Sequence, residues 1–239
     1  MRMSQVTRRH APAVGAAFLF ALAALAGCST HTGVSADSAG ASASSSTGTS
    51  GDQGTAAALA YGPGPQKAYT VAAQPAVGSC HFGYDHGQPL PDPKCTPGAL
   101  SPAVTQATLA TTICRSGGYT STIRPPVGVT NKEKAANAKS YGYTGSLHDA
   151  EYDHLISLQL GGDPNDPRNL WVEPPSPGHK AGAGPNNPKD AVETRLHTAI
   201  CKNQVTLLAA QQAIATDWET AEQRLGLKPD PGDASGPAD

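Results

Sequence analysis

The fold is decided by residues 151–162, which read EYDHLISLQLGG, and by residues 169–172, which read NLWV. Residues 152–158 alternate weakly in polarity and include β-branched and aromatic types, so we predict a strand there. Turn-forming sequences, Gly-Gly-Asp-Pro at 161–164 and Asp-Pro at 166–167, follow this strand. With a second short strand over residues 169–172, the pattern predicts a β-hairpin whose strands are joined by a long loop.

Helix signals lie on both sides of the predicted hairpin. Thr130 and Glu133 have the spacing of a capping box, which predicts a short helix before the hairpin. Asn187 precedes a proline and is a good N-cap, so a second helix should begin there. A third helix is expected from Thr206 to about Gly226. Apolar side chains recur at helical spacing in the last two helices, which indicates a buried face in each.

The composition limits the classes of protein to consider. The chain has 239 residues, of which 38% are hydrophobic, and its 17 basic and 19 acidic side chains give a formal charge of -2. This balance argues against binding to nucleic acid or membranes mainly through bulk positive charge. The 26 glycines and 21 prolines indicate that part of the chain does not pack into a core. We therefore expect one folded domain with unpacked segments beside it.

The N-terminus has the features of an export signal. Three arginines precede an apolar run over residues 13–26, which is too short to span a bilayer. The run ends in Leu-Ala-Gly-Cys, which resembles the lipobox of bacterial lipoproteins, so Cys28 is the predicted lipidation site. An ordinary secretory signal is the alternative, and the choice between the general secretory and twin-arginine routes stays open. We expect an exported protein that is either secreted or held on the outer face of the cell membrane by its lipid anchor only.

Composition divides the chain into four predicted segments. Residues 1–27 are the lipoprotein signal peptide, and residues 28–77 are a Ser/Ala/Gly-rich disordered tether. Residues 78–226 are the folded domain, and residues 227–239 are a disordered tail. Removal of the signal peptide removes three arginines and no acid, which leaves 14 basic and 19 acidic side chains and a charge of -5.

Four further cysteines, Cys80, Cys95, Cys114 and Cys201, would meet oxidising conditions outside the cell. Four cysteines allow three connectivities, and we favour Cys80–Cys95 and Cys114–Cys201. The first pairing closes a short local loop, and the second ties the segment before the hairpin to a helix after it. A zinc site is the alternative reading, but no Cys-x-x-Cys spacing supports it.

The hairpin also carries a known pattern. Five residues agree in type, order and spacing with the HNH endonucleases: Asp153, His154, Gly161, Gly162 and Asn169. The close resemblance covers residues 151–201 and includes Lys189, Asp190 and Glu193 of the following helix. It implies an α+β domain of the ββα-metal (HNH-like) fold, a hairpin plus a helix, with additional helices and disulfides. It also implies a divalent metal cofactor, Mg²⁺ in the first place, with Mn²⁺ and Zn²⁺ as alternatives.

The chemistry of phosphodiester hydrolysis assigns roles to these residues. A histidine near its neutral form can take a proton from water, so His154 is the predicted general base. Asp153 is an anionic ligand that suits a hard cation. Asn169 can bridge backbone groups across the hairpin and hold the loop that aims His154. Neighbouring strand residues point to opposite faces, so Asp153 and His154 can serve one metal only if the strand ends or bulges there.

The third metal ligand stays open between two residues. His179 lies ten residues after Asn169, near the usual separation in the family, and imidazole is a good metal ligand. It lies, however, in a loop rich in proline and glycine. Asn187 lies at the predicted helix start, where asparagine-type members of the family place their ligand, and it is equally suited to be a plain N-cap.

These features together predict a metal-dependent nuclease, an HNH-type endonuclease that hydrolyses nucleic-acid phosphodiesters. Residues 131–202 hold eight basic and nine acidic side chains, so the expected binding to nucleic acid, DNA rather than RNA, is weak, salt-sensitive and sequence-tolerant. One alternative is a non-catalytic cell-surface binding module that retains the HNH-like fold. Another is a metal-dependent hydrolase of a different phosphoester. The sequence does not indicate an oligomeric state.

Overall fold

The computed structural model describes residues 58–228 of the chain. The predicted signal peptide, the lipidation site Cys28, most of the predicted tether and nearly all of the predicted tail lie outside the described residues. Within this part, the chain is a mixed α+β structure with four α-helices and three two-stranded sheets. None of these helices is long and apolar enough to cross a membrane.

Four short strands come first along the chain, and α1, the β5–β6 pair and three further helices follow. The strands are β1 (Ala60–Tyr61), β2 (Gly83–Asp85), β3 (Gln88–Leu90), β4 (Ala99–Leu100), β5 (Glu151–His154) and β6 (Leu170–Glu173). The helices are α1 (Val127–Ser140), α2 (Lys189–Cys201), α3 (Leu207–Thr216) and α4 (Ala221–Arg224). Strands β1 and β4 pair in parallel, whereas β2 with β3 and β5 with β6 form antiparallel ladders.

The predicted hairpin is confirmed as β5 and β6, with Asp153 opposite Trp171 and His154 opposite Leu170. The first strand is shorter than predicted, because it ends at His154 rather than continuing to residue 158. The backbone N–H and C=O of Ile156 bond to the Asn169 side chain instead of to a strand, at 3.0 Å each. A 3₁₀ turn over Leu158–Leu160 follows. At this end of the hairpin, hydrogen bonds to the Asn169 side chain therefore replace backbone hydrogen bonds between the strands.

Helix α1 begins earlier than the predicted capping box. Its N-cap is Pro126, and the Thr130 hydroxyl bonds inside the helix to the carbonyl of Val127. Glu133 is fully buried and accepts a hydrogen bond from the distant backbone N–H of Ala72 at 2.6 Å. The capping-box prediction was therefore wrong, because a tertiary contact takes the glutamate that the local pattern assigned to the helix start.

The later helices follow the sequence more closely. Helix α2 begins at Lys189, whose backbone N–H bonds to the Asn187 side-chain oxygen at 3.0 Å. Helix α3 begins next to Thr206, as predicted, and the Thr206 hydroxyl oxygen caps it by accepting from the N–H of Ala209. The single helix expected to reach Gly226 is divided in two, because the Asp217 carboxylate bonds to residues 219 and 220 and starts a new turn.

Two apolar clusters support the hairpin. The larger lies among α2, α3 and the 3₁₀ turn after β5, and its fully buried side chains include Ile156, Leu160, Leu196 and Ile214. The smaller surrounds Trp171 with Tyr141, Val172 and Phe82. The apolar faces predicted for the last two helices therefore form part of one core.

Both predicted disulfides are present. Cys80 bonds to Cys95 with their Cα atoms 5.9 Å apart, and Cys114 bonds to Cys201 with their Cα atoms 5.6 Å apart. Two disulfides in a small domain indicate an oxidising, extracellular environment. The longer loop ties the segment before α1 to the end of α2, so it constrains the helix that packs against the hairpin.

The folded part begins earlier than the predicted boundary at Gly78. Strand β1 pairs with β4, and the N–H of Gly64 bonds to the buried carboxylate of Asp163 at 2.6 Å. The Tyr69 hydroxyl donates to the carbonyl of Ile123 at 2.6 Å. Residues 58–77, which the composition assigned to the tether, therefore pack against the domain. Carboxylates far along the chain, those of Asp163 and Glu133, accept hydrogen bonds from backbone N–H groups of this segment.

Candidate functional site

His154 lies at the end of β5 and is almost completely buried, with 7% of its surface exposed. Its Nε2 atom lies 3.0 Å from the backbone carbonyl oxygen of Pro164. A carbonyl oxygen can only accept a hydrogen bond, so Nε2 must carry the proton. In the neutral ring the lone pair then lies on Nδ1.

The charge state of His154 follows from its surroundings. Burial lowers the pKa of His154 to about 4, and the positive charges of Arg124 and Lys189 act in the same direction against the hydrogen bond to Pro164. The ring is therefore neutral at pH 7, with one nitrogen fixed as donor and the other free to accept a proton. This is the protonation state that a general base requires.

Asn169 fixes the loop that holds His154. Its side-chain oxygen accepts from Ile156 N–H, and its amide donates to the carbonyls of Ile156 and Asp163 at 3.0 Å each. Asp163 directly precedes Pro164, so the amide sets the position of the carbonyl that binds His154. Gly162 is required beside it, since a Cβ atom there would lie 1.7 Å from the Ile156 carbonyl oxygen. This geometry is the bridging role predicted for Asn169.

Asp153 bonds to different partners from its neighbour His154. One carboxylate oxygen accepts from Lys189 Nζ at 2.8 Å and from the Trp171 indole N–H at 3.2 Å. The side chains of adjacent strand residues point to opposite faces, and these two accordingly contact different groups. Asp153 is therefore one half of a buried ion pair.

Lys189 is the centre of this ion pair and has no exposed surface. Its ammonium group donates to Asp153, to Glu193 one turn along α2 and to the backbone carbonyl of His154 at 2.9 Å. Burial opposes the charge, but the carboxylates of Asp153 and Glu193 outweigh it and raise the pKa of Lys189. We name Asp153, Lys189 and Glu193 the Lys189 pocket.

Asn187 links two acids beside the Lys189 pocket. Its amide donates to Glu151 at 3.0 Å and to Glu173 at 3.1 Å, while its oxygen caps α2. Burial, and then the charge of Asp153, raise the pKa of Glu173 well above its usual value. Glu173 is 2% exposed, so its ionised form is disfavoured.

His179 lies with a different group. Its Nε2 atom is 3.5 Å from the Oδ1 atom of Asp149. The two oxygens of this carboxylate also accept hydrogen bonds, Oδ2 from the N–H of Gly182 and Oδ1 from the N–H of Gly184. These backbone bonds and the neighbouring His148 lower the pKa of Asp149. His179 is thus part of a loop anchor around Asp149, whereas Asp153 and Asn187 contact Lys189, Trp171 and two glutamates.

A separate group of residues has the arrangement of metal ligands. Within residues 58–228, Cys114, His197 and Cys201 place one ligand atom each within 4.8 Å of one another, so this Cys-His-Cys group could hold a metal ion. The two sulfur atoms are joined in a disulfide, and a thiolate is the form that binds metals. Metal binding at this point therefore requires the reduced chain.

Sequence reasoning missed several of the partners that define the site. Lys189 and Glu193 were noted only as part of the family resemblance, and their i, i+4 spacing is usual for exposed helix pairs. The role of the Pro164 carbonyl has no sequence signal, because every residue has such a group. Arg124 is exposed, and its charge reaches both His154 and Asp190.

Comparison with protein-family models, curated proteins and solved structures found no match to this chain. The resemblance to the HNH endonucleases therefore depends on the residues quoted for it and on the chemistry of the site.

Proposed function

We propose that this protein is a phosphodiester hydrolase of the HNH type that acts on nucleic acid. The observation that carries the proposal is the state of His154, a neutral imidazole whose Nε2–H is bound to the Pro164 carbonyl. A hairpin followed by a helix, in the order β5, β6 and α2, supports the ββα-metal fold as the finer description.

His154 acts on the attacking water in this proposal. Its Nδ1 lone pair takes the proton as the water oxygen bonds to phosphorus, and the ester oxygen leaves with the shared electron pair. A positioned base of this kind contributes about 10²–10⁴-fold to the rate. Arg124 forms no ion pair or hydrogen bond within the described residues, and a guanidinium suits the phosphate group.

The predicted metal ligands do not fit a shared metal centre. Asp153 is held by Lys189 and Trp171, Asn187 by two glutamates, and His179 by Asp149. Among the described residues, the His, Cys, Asp and Glu side chains that lie close enough together to hold a metal ion are Cys114, His197 and Cys201, and this group does not include His154. We therefore derive no catalytic step through a metal ion. Whether the cleavage rate depends on a divalent metal is measured directly in the experiment that follows.

The test is plasmid cleavage by purified protein and by the His154→Ala variant, each with Mg²⁺ and with a chelator. The variant should lose at least about 10²-fold in rate while keeping the circular dichroism of the parent. The rate of the parent should fall as the pH approaches about 4, where His154 takes up a proton. Equal cleavage by both proteins would show that the activity is a contaminant and would remove the proposal.

A non-catalytic nucleic-acid-binding module is the second candidate. It is favoured by the 7% exposure of His154 and by the ion pair that engages Asp153. Titration calorimetry with duplex DNA and duplex RNA separates the two functions. Binding that weakens with salt, together with the absence of cleavage under every metal condition, would replace the hydrolase by this module.

We further propose that Cys28 carries a lipid anchor on the outer face of the membrane. The apolar run before it and the Leu-Ala-Gly-Cys sequence support this site. Labelled fatty acid should enter the protein in cells, and Cys28→Ser should abolish the label and release the protein into the medium. Retention of the label in the variant would exclude lipidation at this residue.

A further inference from the structure

A second buried polar pocket, at Glu133 and Asn165, is not used by the proposed chemistry. Glu133 of α1 has no exposed surface, and Asn165 of the hairpin loop is 6% exposed. The Asn165 amide donates to Glu133 Oε1 at 3.3 Å and to the Thr70 carbonyl at 3.0 Å. With Tyr152 of β5, whose pKa burial raises, these residues form what we name the Glu133 pocket.

The hydrogen bonds of this pocket are incomplete in one specific way. Glu133 Oε1 accepts two hydrogen bonds, from Ala72 N–H and from Asn165, whereas Glu133 Oε2 accepts none. The Asn165 side-chain oxygen is also buried without a hydrogen-bond partner. A buried acceptor without a donor costs about 1–3 kcal/mol, so two of them on touching side chains indicate that a donor is missing between these groups.

A proton on Glu133 supplies that donor. It converts Oε2 from an acceptor into an O–H donor, and the Asn165 oxygen is a neighbouring acceptor that needs one. Within the described residues Glu133 has no ion pair, and burial raises its pKa. Its two hydrogen-bond donors, the Ala72 N–H and the Asn165 amide, are uncharged, and the ionisable side chain of β5 that interacts with it is the Tyr152 phenol.

We propose that Glu133 is a positioning residue that works in its protonated form, binding Asn165 and thereby fixing the adjacent Pro164 carbonyl that orients His154. Only one hydrogen bond and one peptide link separate Glu133 from the Pro164 carbonyl. Asn165 directly follows Pro164, and its side chain ties the loop to α1 and to the N-terminal segment at Thr70. Loss of this tie frees the carbonyl that determines which ring nitrogen of His154 carries the proton.

The alternative occupant of the pocket is a cation. A carboxylate and an amide oxygen are suitable ligands for Ca²⁺. In proteins, however, this ion generally takes about six to eight oxygen ligands. Glu133 Oε2 and the Asn165 oxygen are two such atoms, and the Tyr152 hydroxyl, beside Gln74, is a weak third. A proton satisfies both orphan oxygens with no further ligand, so we favour it.

The first experiment is infrared spectroscopy of the carboxyl groups at neutral pH. A protonated acid has a C=O stretch that a carboxylate lacks, so the wild-type protein should show a band that disappears in Glu133→Gln. Glu173→Gln is the matched control, because Glu173 is another buried acid and its band should be separate. Identical wild-type and Glu133→Gln spectra would overturn the protonated state.

The second experiment is unfolding as a function of pH. A group whose pKa is raised on folding stabilises the protein fully below its unfolded pKa, and this stability is lost as the pH rises through the folded value. Wild-type protein should therefore lose part of its stability as the pH increases, and Glu133→Gln, neutral at every pH, should lose less. Stabilisation by Ca²⁺ of the wild type but not of the variant would overturn the proposal in favour of a cation.

The third experiment measures His154 directly and does not need enzymatic activity. The nitrogen chemical shifts of His154 should report an Nε2–H tautomer in wild type and in Glu133→Gln, and a mixture of tautomers in Glu133→Ala. An unchanged tautomer in a folded Glu133→Ala protein would overturn the positioning role.

The consequence for the cleavage rate rests on the proposed function. The Glu133→Ala protein should cleave up to about 10²-fold more slowly than wild type, and the Glu133→Gln protein should cleave near the wild-type rate. Absence of cleavage in every protein would count against the function and leave the tautomer result standing.

Discussion

The Lys189 pocket and the Glu133 pocket bury carboxyl groups beside the same hairpin in different ways. Asp153 and Glu193 share a fully buried ammonium group, which keeps both acids paired. Glu133 is also buried but forms no ion pair within the described residues, and its two hydrogen-bond donors are the uncharged N–H groups of Ala72 and Asn165. The comparison shows that burial alone does not fix the charge of an acid, because the nearest partner decides whether the ionised form survives.

The two arrangements should fail in different ways. In a buried ion pair, the electrostatic attraction between the partners offsets the free-energy cost of removing both charges from water. Removal of one partner therefore leaves a buried charge whose desolvation cost nothing offsets. A neutral acid has no such dependence, and an amide of the same shape can replace it. The mutations below test this difference in order of decreasing effect.

Lys189→Met should have the largest effect, because it leaves Asp153 and Glu193 as buried acids without a cation. We expect a loss of about 3–5 kcal/mol in the free energy of unfolding in urea at neutral pH. Lys180→Met, at an exposed lysine, is the control and should change stability by less than about 0.5 kcal/mol. A loss as small as that of Lys180→Met would show that the buried ion pair does not stabilise the fold.

Trp171→Phe should have a smaller effect in the same pocket. It removes the indole N–H that donates to Asp153 and keeps most of the apolar ring. Hydrogen bonds to charged groups contribute about 1.5–3 kcal/mol, and urea unfolding should show a loss in this range. Trp218→Phe is a matched control, because the buried indole of Trp218 donates to the uncharged Pro89 carbonyl and its loss should be nearer 1 kcal/mol. Equal losses would show that the charge of Asp153 adds nothing.

Tyr152→Phe should have the smallest effect. The Tyr152 hydroxyl oxygen is buried without a hydrogen bond of ordinary geometry, so its removal breaks no strong contact. We expect a change of less than about 0.5 kcal/mol in thermal or urea unfolding. A loss above about 1.5 kcal/mol would mean that Glu133 donates its proton to this hydroxyl rather than to Asn165.

The sequence predicted the local parts of this structure well. Turn formers and alternation placed the hairpin, with strand ends within a few residues of β5 and β6. The start of α3 near Thr206 and both disulfide pairings were also predicted. Such features depend on neighbouring residues or on the redox compartment, so they can be derived without knowledge of the tertiary contacts.

The candidate site was predicted less completely. The bridging role of Asn169 follows from its position in the pattern, but the ion pair of Asp153 does not. Lys189 is 36 residues from Asp153 along the chain, and Ala72 is 61 residues from Glu133. Contacts over such separations redirect side chains that local patterns assign to metal binding or to a helix cap.

The sequence by itself determined where the chain turns, which helix faces are apolar and which cysteines can pair, because these properties follow from local geometry and composition. Only the tertiary structure decided the charge of each buried group. His154 is neutral because the fold removes water from it and presents a carbonyl to Nε2, and Asp153 is paired because the fold brings the Lys189 ammonium to it. Protonation depends on desolvation and on partners distant in the chain, and neither of these is encoded in a local pattern of residues.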